Sequence, residues 1–564
     1  MKKDEVNMKV VIVGAVAGGA TLAANLRRLD ETCEIVMFEK DRDLSFGNCE
    51  IPYYLSYEIE SSSSLINRTP ESFLKGYNIK AKRYHEVVSI NRKEKYVEVL
   101  DKENDTIFNE TYDYLILAPG SKENRPSSIS GYDNLHVFSV KNVVDVENIR
   151  SYIEENEVKD VFIVGGGFVA IEAAESIHKL KNINISMLIR KNTSLLSIID
   201  MDLKGFIKEN IKENGVNIIE AKSLVEIDMN FVKFDDGSKE KADLVILALG
   251  ARPESKLAKN AGLNLEEDGS ISVDDNFRTS DEAIFAIGDV INPINFLTKK
   301  KTKLNLAWPA HRQAKFLARY LLGKKANPPE FIGTFALRSF DLNIAMTGLN
   351  EKGLEEAGFS YESTLISHRD SVAIMPDSKP IYLKILFDKK DGTIYGAQGL
   401  GYGVVDKRID VIASMIKRKA TIYDLYDLEL AYQPLYSTVE DATNILANQA
   451  INIFEGKLKA IKIKDLIKNY KDYEIYDLRD KNSYEKAHIK TATSLAGTNF
   501  RDNHSFLPKD KKIVLYDTNG GKSSNTAKLL AHYGFDNIYI LDGSFVFFEK
   551  YDKMAETNMI EKNI

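Results

Sequence analysis

An α/β chain of several domains is what this sequence predicts, and three observations carry that prediction. An apolar strand at Lys9–Val13 runs into the glycine-rich loop Val13-Gly14-Ala15-Val16-Ala17-Gly18-Gly19, then a helical stretch to Leu29 and a second strand, Glu34–Phe38. The same order returns at Asp160–Val164, Gly165–Ala170 and Ile185–Ile189. Further apolar runs, Tyr114–Gly120 and Leu244–Gly250, break at glycine. Strands buried on both faces read as continuous hydrophobic runs, so each half is expected to hold a parallel sheet. A length of 564 residues leaves room for further domains.

The loops give the strands their chemistry. Gly14, Gly18 and Gly19 permit a tight turn and bring backbone N–H groups to the N-terminus of the next helix, where a pyrophosphate binds. The second strand ends in Glu39, whose carboxylate can hydrogen-bond a ribose hydroxyl. The second loop carries Gly165 and Gly167 and leads into a helix through Glu172 and Glu175. Its second strand ends in Arg190-Lys191, a cationic pair that favours a 2′-phosphate and hence NADPH, with NADH possible. A strand through Phe285-Ala286-Ile287-Gly288 ends in Asp289. Two dinucleotide sites in one chain point to redox chemistry.

Met8–Ala24 imitates a signal peptide, but the glycine loop inside it makes it a buried strand, turn and helix. No run of about 18 apolar residues could span a membrane. The net charge of −7 argues against a nucleic-acid or anionic-membrane surface. Two cysteines exclude a disulfide scaffold and a cysteine zinc site, and they suit a soluble protein of a reducing cytoplasm.

Cys49 lies in Leu44-Ser45-Phe46-Gly47-Asn48-Cys49-Glu50-Ile51-Pro52-Tyr53-Tyr54, just past the first dinucleotide motif. With no second cysteine nearby it cannot close a local disulfide. Its position before Pro52 marks a helix start, where orphan N–H groups lower a thiol pKa; Glu50 would raise it if turned inward. Cys33 opens a strand and reads as a small buried hydrophobe.

These motifs in this order resemble the two-dinucleotide-binding flavoprotein disulfide reductases. Tyr54 stands where most of them carry a second redox cysteine. The run Ser45-Phe46-x-x-Cys49-x-x-Pro52-Tyr53 resembles the single-cysteine branch, the coenzyme A-disulfide reductases. Arg27-Arg28-Leu29-Asp30, Asp41-Arg42-Asp43, Thr69-Pro70-Glu71, Asp406–Asp410 and Ala431-Tyr432-Gln433-Pro434 extend the likeness over about the first 450 residues.

The resemblance implies FAD held by Gly14, Gly18, Gly19, Glu39, Lys40, Ala118, Gly120, Gly288 and Asp289, with Asp289 on the ribitol. It implies NADPH held by Gly165, Gly167, Glu172, Arg190, Lys191 and Gly250. Coenzyme A would meet Thr21, Asn25, Arg28, Ser45, Asn48, His311 and Arg312. Residues 1–128 with 255–330 would form the FAD-binding domain, 129–254 the NAD(P)H-binding domain, and 331–454 an α+β dimerisation domain. In the resulting homodimer Tyr432 of one subunit would approach the partner's Cys49, with Tyr436 a second candidate. Two departures stand out: Ile374-Met375-Pro376-Asp377 replaces a Tyr-Tyr-Pro-Gly run, and Glu440 replaces a lysine that helps bind coenzyme A.

Beyond the connector Glu455–Lys459, residues 462–560 resemble a rhodanese-like domain through Tyr476-Asp477-Leu478-Arg479, Ala487-His488-Ile489 and Leu541-Asp542-Gly543. The fold class is thus α/β: two Rossmann-like dinucleotide-binding domains, the dimerisation domain and a C-terminal α/β rhodanese-like domain. Where a working rhodanese holds its catalytic cysteine the strand Ile513–Tyr516 ends in Asp517, so no sulfurtransferase activity is expected and a protein partner is one role left to the domain. The function expected is reduction of coenzyme A disulfide or a related persulfide or polysulfide, with electrons passing from NADPH through FAD to Cys49. Two alternatives remain: an NADH oxidase or peroxidase using a Cys49 sulfenic acid, and a redox sensor with the last domain as binding module.

Overall fold

The computed structural model describes residues 8–190 and 195–562, in two compact units, residues 1–194 with 216–331 and residues 195–215 with 332–564. In the first unit, a five-stranded parallel sheet has the order Ile284–Ala286, Tyr114–Leu117, Lys9–Val13, Glu34–Phe38, Lys80–Lys82. Its central strand is apolar because both faces are covered; Val10, Val11 and Ile12 are fully buried. Helix α1 (Ala17–Leu29) follows the glycine loop, α2 (Ile51–Leu55) follows Cys49, and α3 (Pro70–Tyr77) precedes the edge strand. Thr69 caps α3 in a reciprocal pair with Ser72.

The second sheet repeats the first, in the order Asn217–Glu220, Asn184–Ile189, Asp160–Val164, Leu244–Leu247, Val137–Phe138. Helices α4 (Val143–Glu155) and α5 (Phe168–His178) belong to it. Short antiparallel strands Ser121–Glu123 and Ala251–Pro253 join the two halves.

Helix α6 (Met201–Glu213) lies within the sequence of the second nucleotide-binding half, 129–254, yet groups with the second unit. Its buried Phe206 stacks on Phe547 (4.8 Å) and meets Tyr382 at a tilt (4.9 Å), so this part of its apolar face is satisfied there. Helix α7 (Ala307–Leu321) returns to the first unit and packs along α1.

The second unit holds an antiparallel sheet in the order Phe335–Ser339, Leu342–Gly348, Ile394–Gly401, Pro380–Asp388, Tyr361–Arg369, backed by α8 (Ala442–Phe454). A parallel sheet, Ala460–Ile461, Ile538–Leu541, Lys512–Tyr516, Tyr473–Asp477, Thr493–Ser494, forms the C-terminal layer with α9 (Ser544–Ala555). The free edge Tyr361–Arg369 is covered by that layer: Leu365 N–H donates to Asp542 Oδ1 (2.9 Å) and Gly543 N–H donates to Leu365 O (3.1 Å). Fully buried Lys384 sits among Asp200 (3.0 Å), Asp202 (2.8 Å) and Glu351 (3.1 Å), and Lys462 reaches the same Glu351 at 2.7 Å. Among the described residues no helix is long and apolar enough to cross a membrane.

Candidate active site

Each glycine loop presses against a crossing segment of its own sheet. A Cβ on Gly14 (φ +94°) would lie 2.2 Å from Ala118 O, and one on Gly19 1.9 Å from Gly14 O. A Cβ on Gly165 would lie 2.3 Å from Ala248 O. No side chain caps the N-terminus of α1 or α5, as suits a helix end that receives a phosphate. Glu39 is buried, pushed above the usual carboxylate range by desolvation, and accepts the Ala15 N–H at Oε2 (2.9 Å). That carboxylate retains lone pairs for a ribose. Gly288 N–H donates to Gln313 Oε1 of α7 (2.7 Å), which fixes the turn before Asp289. Asp289 is raised by burial; Ser121 Oγ donates to its Oδ2 (3.3 Å) while accepting from Lys141 Nζ (3.1 Å). The tight glycine turns, uncapped helices and buried acids fit a dinucleotide at each loop. Gln313, Ser121 and Lys141 carry no motif of their own; only the adjacency of Ser121 to Gly120 hints at its part.

Arg190 directly follows the strand Asn184–Ile189 and is exposed. Lys191 lies outside the described residues. Glu172, on α5, is pushed up to about 7 by burial and then by Glu175.

Cys49 is exposed, on a turn leading into α2, while Cys33 is buried in the core with its thiol pushed up to about 11 by desolvation. The Cys49 loop is tied at several points. Ser45 N–H donates to Ala15 O (2.9 Å), Gly47 N–H to Leu65 O (3.0 Å), and Asn67 N–H to Ser45 O (2.8 Å). Beyond Cys49, the Arg150 guanidinium of α4 stacks on Tyr57 (3.5 Å) and Tyr54 (4.5 Å), and Lys179 reaches Glu58 at 2.8 Å. The segments on either side of Cys49 are therefore held from both nucleotide-binding halves.

The expected lowering of the Cys49 pKa is not what the structure gives. Although the residue is exposed at its surface, partial desolvation by the surrounding loop raises it, and the charges of Glu50 and Glu172 add to that. Helix α2 has five residues, too short for a field that would offset two carboxylates.

Thr21, Asn25 and Arg28 share one face of α1, and Asn25 Nδ2 donates to Thr21 O (2.7 Å). Asn48 is exposed beside Cys49, and Ser45 holds a left-handed backbone (φ 51°). On α7, half-buried His311 is lowered by burial and Lys315, and Arg312 is exposed. Tyr432 and Tyr436 lie in the second unit, in an exposed apolar strip with Ile374, Leu435 and Val439. In the C-terminal layer, the Asp517 carboxylate accepts from Gly520 N–H (2.5 Å), Lys522 N–H (2.7 Å) and Ser523 Oγ (3.2 Å).

A doubled dinucleotide core with one exposed thiol beside the first loop defines a pyridine-nucleotide-dependent flavoprotein reductase. The chain belongs to the pyridine nucleotide-disulphide oxidoreductases: the family pattern matches residues 8–314, its dimerisation domain residues 336–442, and a rhodanese-like domain residues 460–550. The coenzyme A disulfide reductase of Staphylococcus epidermidis is 33% identical over 443 residues, spanning 78% of this chain and 99% of that one. Among solved structures, reduced CoADR-RHD of Bacillus anthracis matches with a TM-score of 0.93 and 35% identity, covering 97% of this chain and 98% of that one. A NAD-dependent persulfide reductase from A. fulgidus matches with a TM-score of 0.89 and 29% identity, covering 96% and 100%. The expected fold class and the expected family are the ones found. The chain is a FAD-dependent disulfide reductase of the coenzyme A-disulfide reductase kind.

Proposed function

We propose that the chain reduces coenzyme A disulfide, or a persulfide of the same carrier, with electrons from NADPH passing through FAD to Cys49. The observation that carries this is the lone exposed thiol tied to the FAD-side loop, with the other cysteine buried in the core. Gly14, Gly18, Gly19, Glu39, Lys40, Ala118, Gly120, Gly288 and Asp289 would hold FAD; Gly165, Gly167, Glu172, Arg190 and Gly250 the nicotinamide nucleotide. FAD, when bound, supplies the two-electron relay between nicotinamide and thiol.

Cys49 does the sulfur chemistry. Its thiolate attacks one sulfur of the disulfide; the substrate S–S bond breaks, one thiol leaves, and the other half stays bonded to Cys49. Two electrons from NADPH then cleave that mixed disulfide, releasing the second thiol and restoring the thiolate. The sum is one disulfide, one NADPH and one proton converted to two thiols and NADP+. Thr21, Asn25, Arg28, Ser45, Asn48, His311 and Arg312 would orient the substrate. A second copy of the chain would cover the strip around Tyr432 and bring that hydroxyl to the partner's reacting sulfurs.

The test is anaerobic NADPH and NADH oxidation with coenzyme A disulfide, its persulfide, polysulfide, peroxide and oxygen compared side by side. Cys49→Ser should abolish disulfide turnover and leave the protein yellow with FAD. A serine variant that works at the normal rate would overturn the mechanism.

The C-terminal layer is assigned no sulfur transfer, because a carboxylate cannot carry a persulfide and the Asp517 carboxylate takes the N–H groups of its own loop. Thiosulfate:cyanide sulfurtransferase assays should read background. Activity that disappears when Asp517 is replaced by alanine would refute this.

A further inference from the structure

Helix α2 is five residues long, too short to hold its own place, and Cys49 lies in the turn that opens it. Glu50 N–H donates to Gly47 O (3.2 Å) and Tyr53 N–H donates to Glu50 O (3.1 Å), so turn and helix form one hydrogen-bonded piece. Whatever fixes α2 therefore fixes the thiol.

The far end of the helix shows what fixes it. Tyr57, one residue past the C-cap Ser56, holds a left-handed backbone (φ 61°), at a position that glycine usually takes. A bulky residue there is strained, and such strain persists only where the surroundings hold it. Tyr57 is held twice. The Arg150 guanidinium carbon lies 3.5 Å from its ring centre, and its hydroxyl donates to Glu154 Oε1 at 2.6 Å.

Arg150 gathers the rest of the segment. Its guanidinium lies 4.5 Å from the Tyr54 ring centre, and Nη1 donates to Tyr54 O and Glu60 O, each at 3.4 Å. Its Nε donates to Glu154 at 3.3 Å, one turn further along α4. The Arg150 side chain is only 15% exposed in spite of its charge, which fits a cation seated between two aromatic rings. A second grip comes from α5, whose C-cap Lys179 reaches Glu58 at 2.8 Å. Both helices belong to the half built on the second glycine loop, so that half holds the segment carrying the sulfur.

We propose that Arg150 is a positioning residue for the sulfur step: seated between Tyr54 and Tyr57 and braced by Glu154, it fixes α2 and thereby aims Cys49. The half that carries the second dinucleotide loop then also sets the attitude of the sulfur that receives the electrons. This rests on the Cys49 reading above and adds residues outside every motif of the sequence. Arg150 lies about a hundred residues beyond the tyrosines it holds, and only the fold brings them together.

The experiment separates the two half-reactions by anaerobic stopped flow in FAD-loaded, full-length enzyme: flavin reduction by NADPH, and reoxidation of the reduced enzyme by coenzyme A disulfide. Wild type is compared with Arg150→Met, Arg150→Lys, Tyr57→Gly, Tyr57→Phe and Cys49→Ser. Arg150→Met should slow reoxidation at saturating disulfide about tenfold, because a thiol aimed less well attacks less often. The half-saturating disulfide concentration should move less than about twofold, since the substrate's own contacts remain. Flavin reduction should likewise change less than about twofold. Arg150→Lys should recover part of the loss, keeping a cation over the rings without the planar fork. Tyr57→Gly should slow reoxidation as Arg150→Met does, although glycine takes this backbone freely and the variant folds without strain there. Tyr57→Phe, which loses only the bond to Glu154, should slow it about threefold. Equal slowing of both half-reactions in Arg150→Met would make the arginine a general packing residue and overturn the proposal. Reoxidation at the wild-type rate in Tyr57→Gly would overturn it as well. If Cys49→Ser is reoxidised as fast as wild type, the Cys49 reading itself fails; if that variant is inert and Arg150→Met is unimpaired, only the positioning role falls.

Discussion

At the scale of single residues, the proposed chemistry turns on the charge around one sulfur. The Glu50 carboxylate lies over Gly47, so close that a Cβ there would meet Glu50 Oε2 at 2.1 Å, and with Glu172 it makes the Cys49 thiolate costly. Removing a negative neighbour stabilises the thiolate and lowers the thiol pKa. Glu50→Gln should therefore speed alkylation of Cys49 by iodoacetamide at pH 7 about threefold, the effect of half a pKa unit, and shift its pH midpoint downward. Slower alkylation in the variant would show that Glu50 acts otherwise. Which of the two cysteines lies exposed past the first loop is legible in the sequence, because that thiol follows a local, ordered motif. The direction of its pKa is not. The sequence offers Glu50 as a neighbour that would raise it, but desolvation of the loop, the brevity of α2 and Glu172, more than a hundred residues away along the chain, decide the direction, and no spacing rule reports them.

Among secondary-structure elements, the strands and glycine loops are legible for a simple reason: a turn that needs glycine and a buried strand that needs apolar residues are both encoded within a few positions. The placement of α6 is a long-range decision and is encoded differently. Its Gly205 faces α9 so closely that a Cβ would lie 0.9 Å from Met554 Sδ, and Lys553 ties the same helices to Glu213 at 2.8 Å. In sequence Gly205 is only a poor helix former at mid-helix; in the structure it is the hole that receives Met554. Gly205→Ala should cost about 1–3 kcal/mol in thermal or denaturant unfolding of the second unit, the usual price of overpacking. Met554→Ala in the same chain should relieve most of that loss, since the two sites share one contact. An additive double variant would mean that the helices do not interlock as described.

At the scale of the whole molecule, the remaining question is what covers the exposed strip of Tyr432, Leu435, Tyr436, Val439 and Ile374 in the second unit. The strip is held in shape rather than loose: Val372 N–H donates to Pro434 O (3.2 Å), and buried Arg408 reaches Asp441 at 2.9 Å. Preformed apolar surface of this kind marks an interface, and it lies within the stretch that matches the family's dimerisation domain. Leu435, 56% exposed, is the natural probe because no catalytic part is assigned to it. An aspartate there would have to be buried unpaired on association. Leu435→Asp should therefore sediment as a monomer and keep its FAD, because the residues assigned to FAD all lie in the first unit. If Tyr432 serves the partner's Cys49, the same monomer should lose coenzyme A disulfide turnover about a hundredfold, the usual effect of removing one positioned donor. A fully active monomer would place the whole reaction within one chain and leave Tyr432 a packing residue.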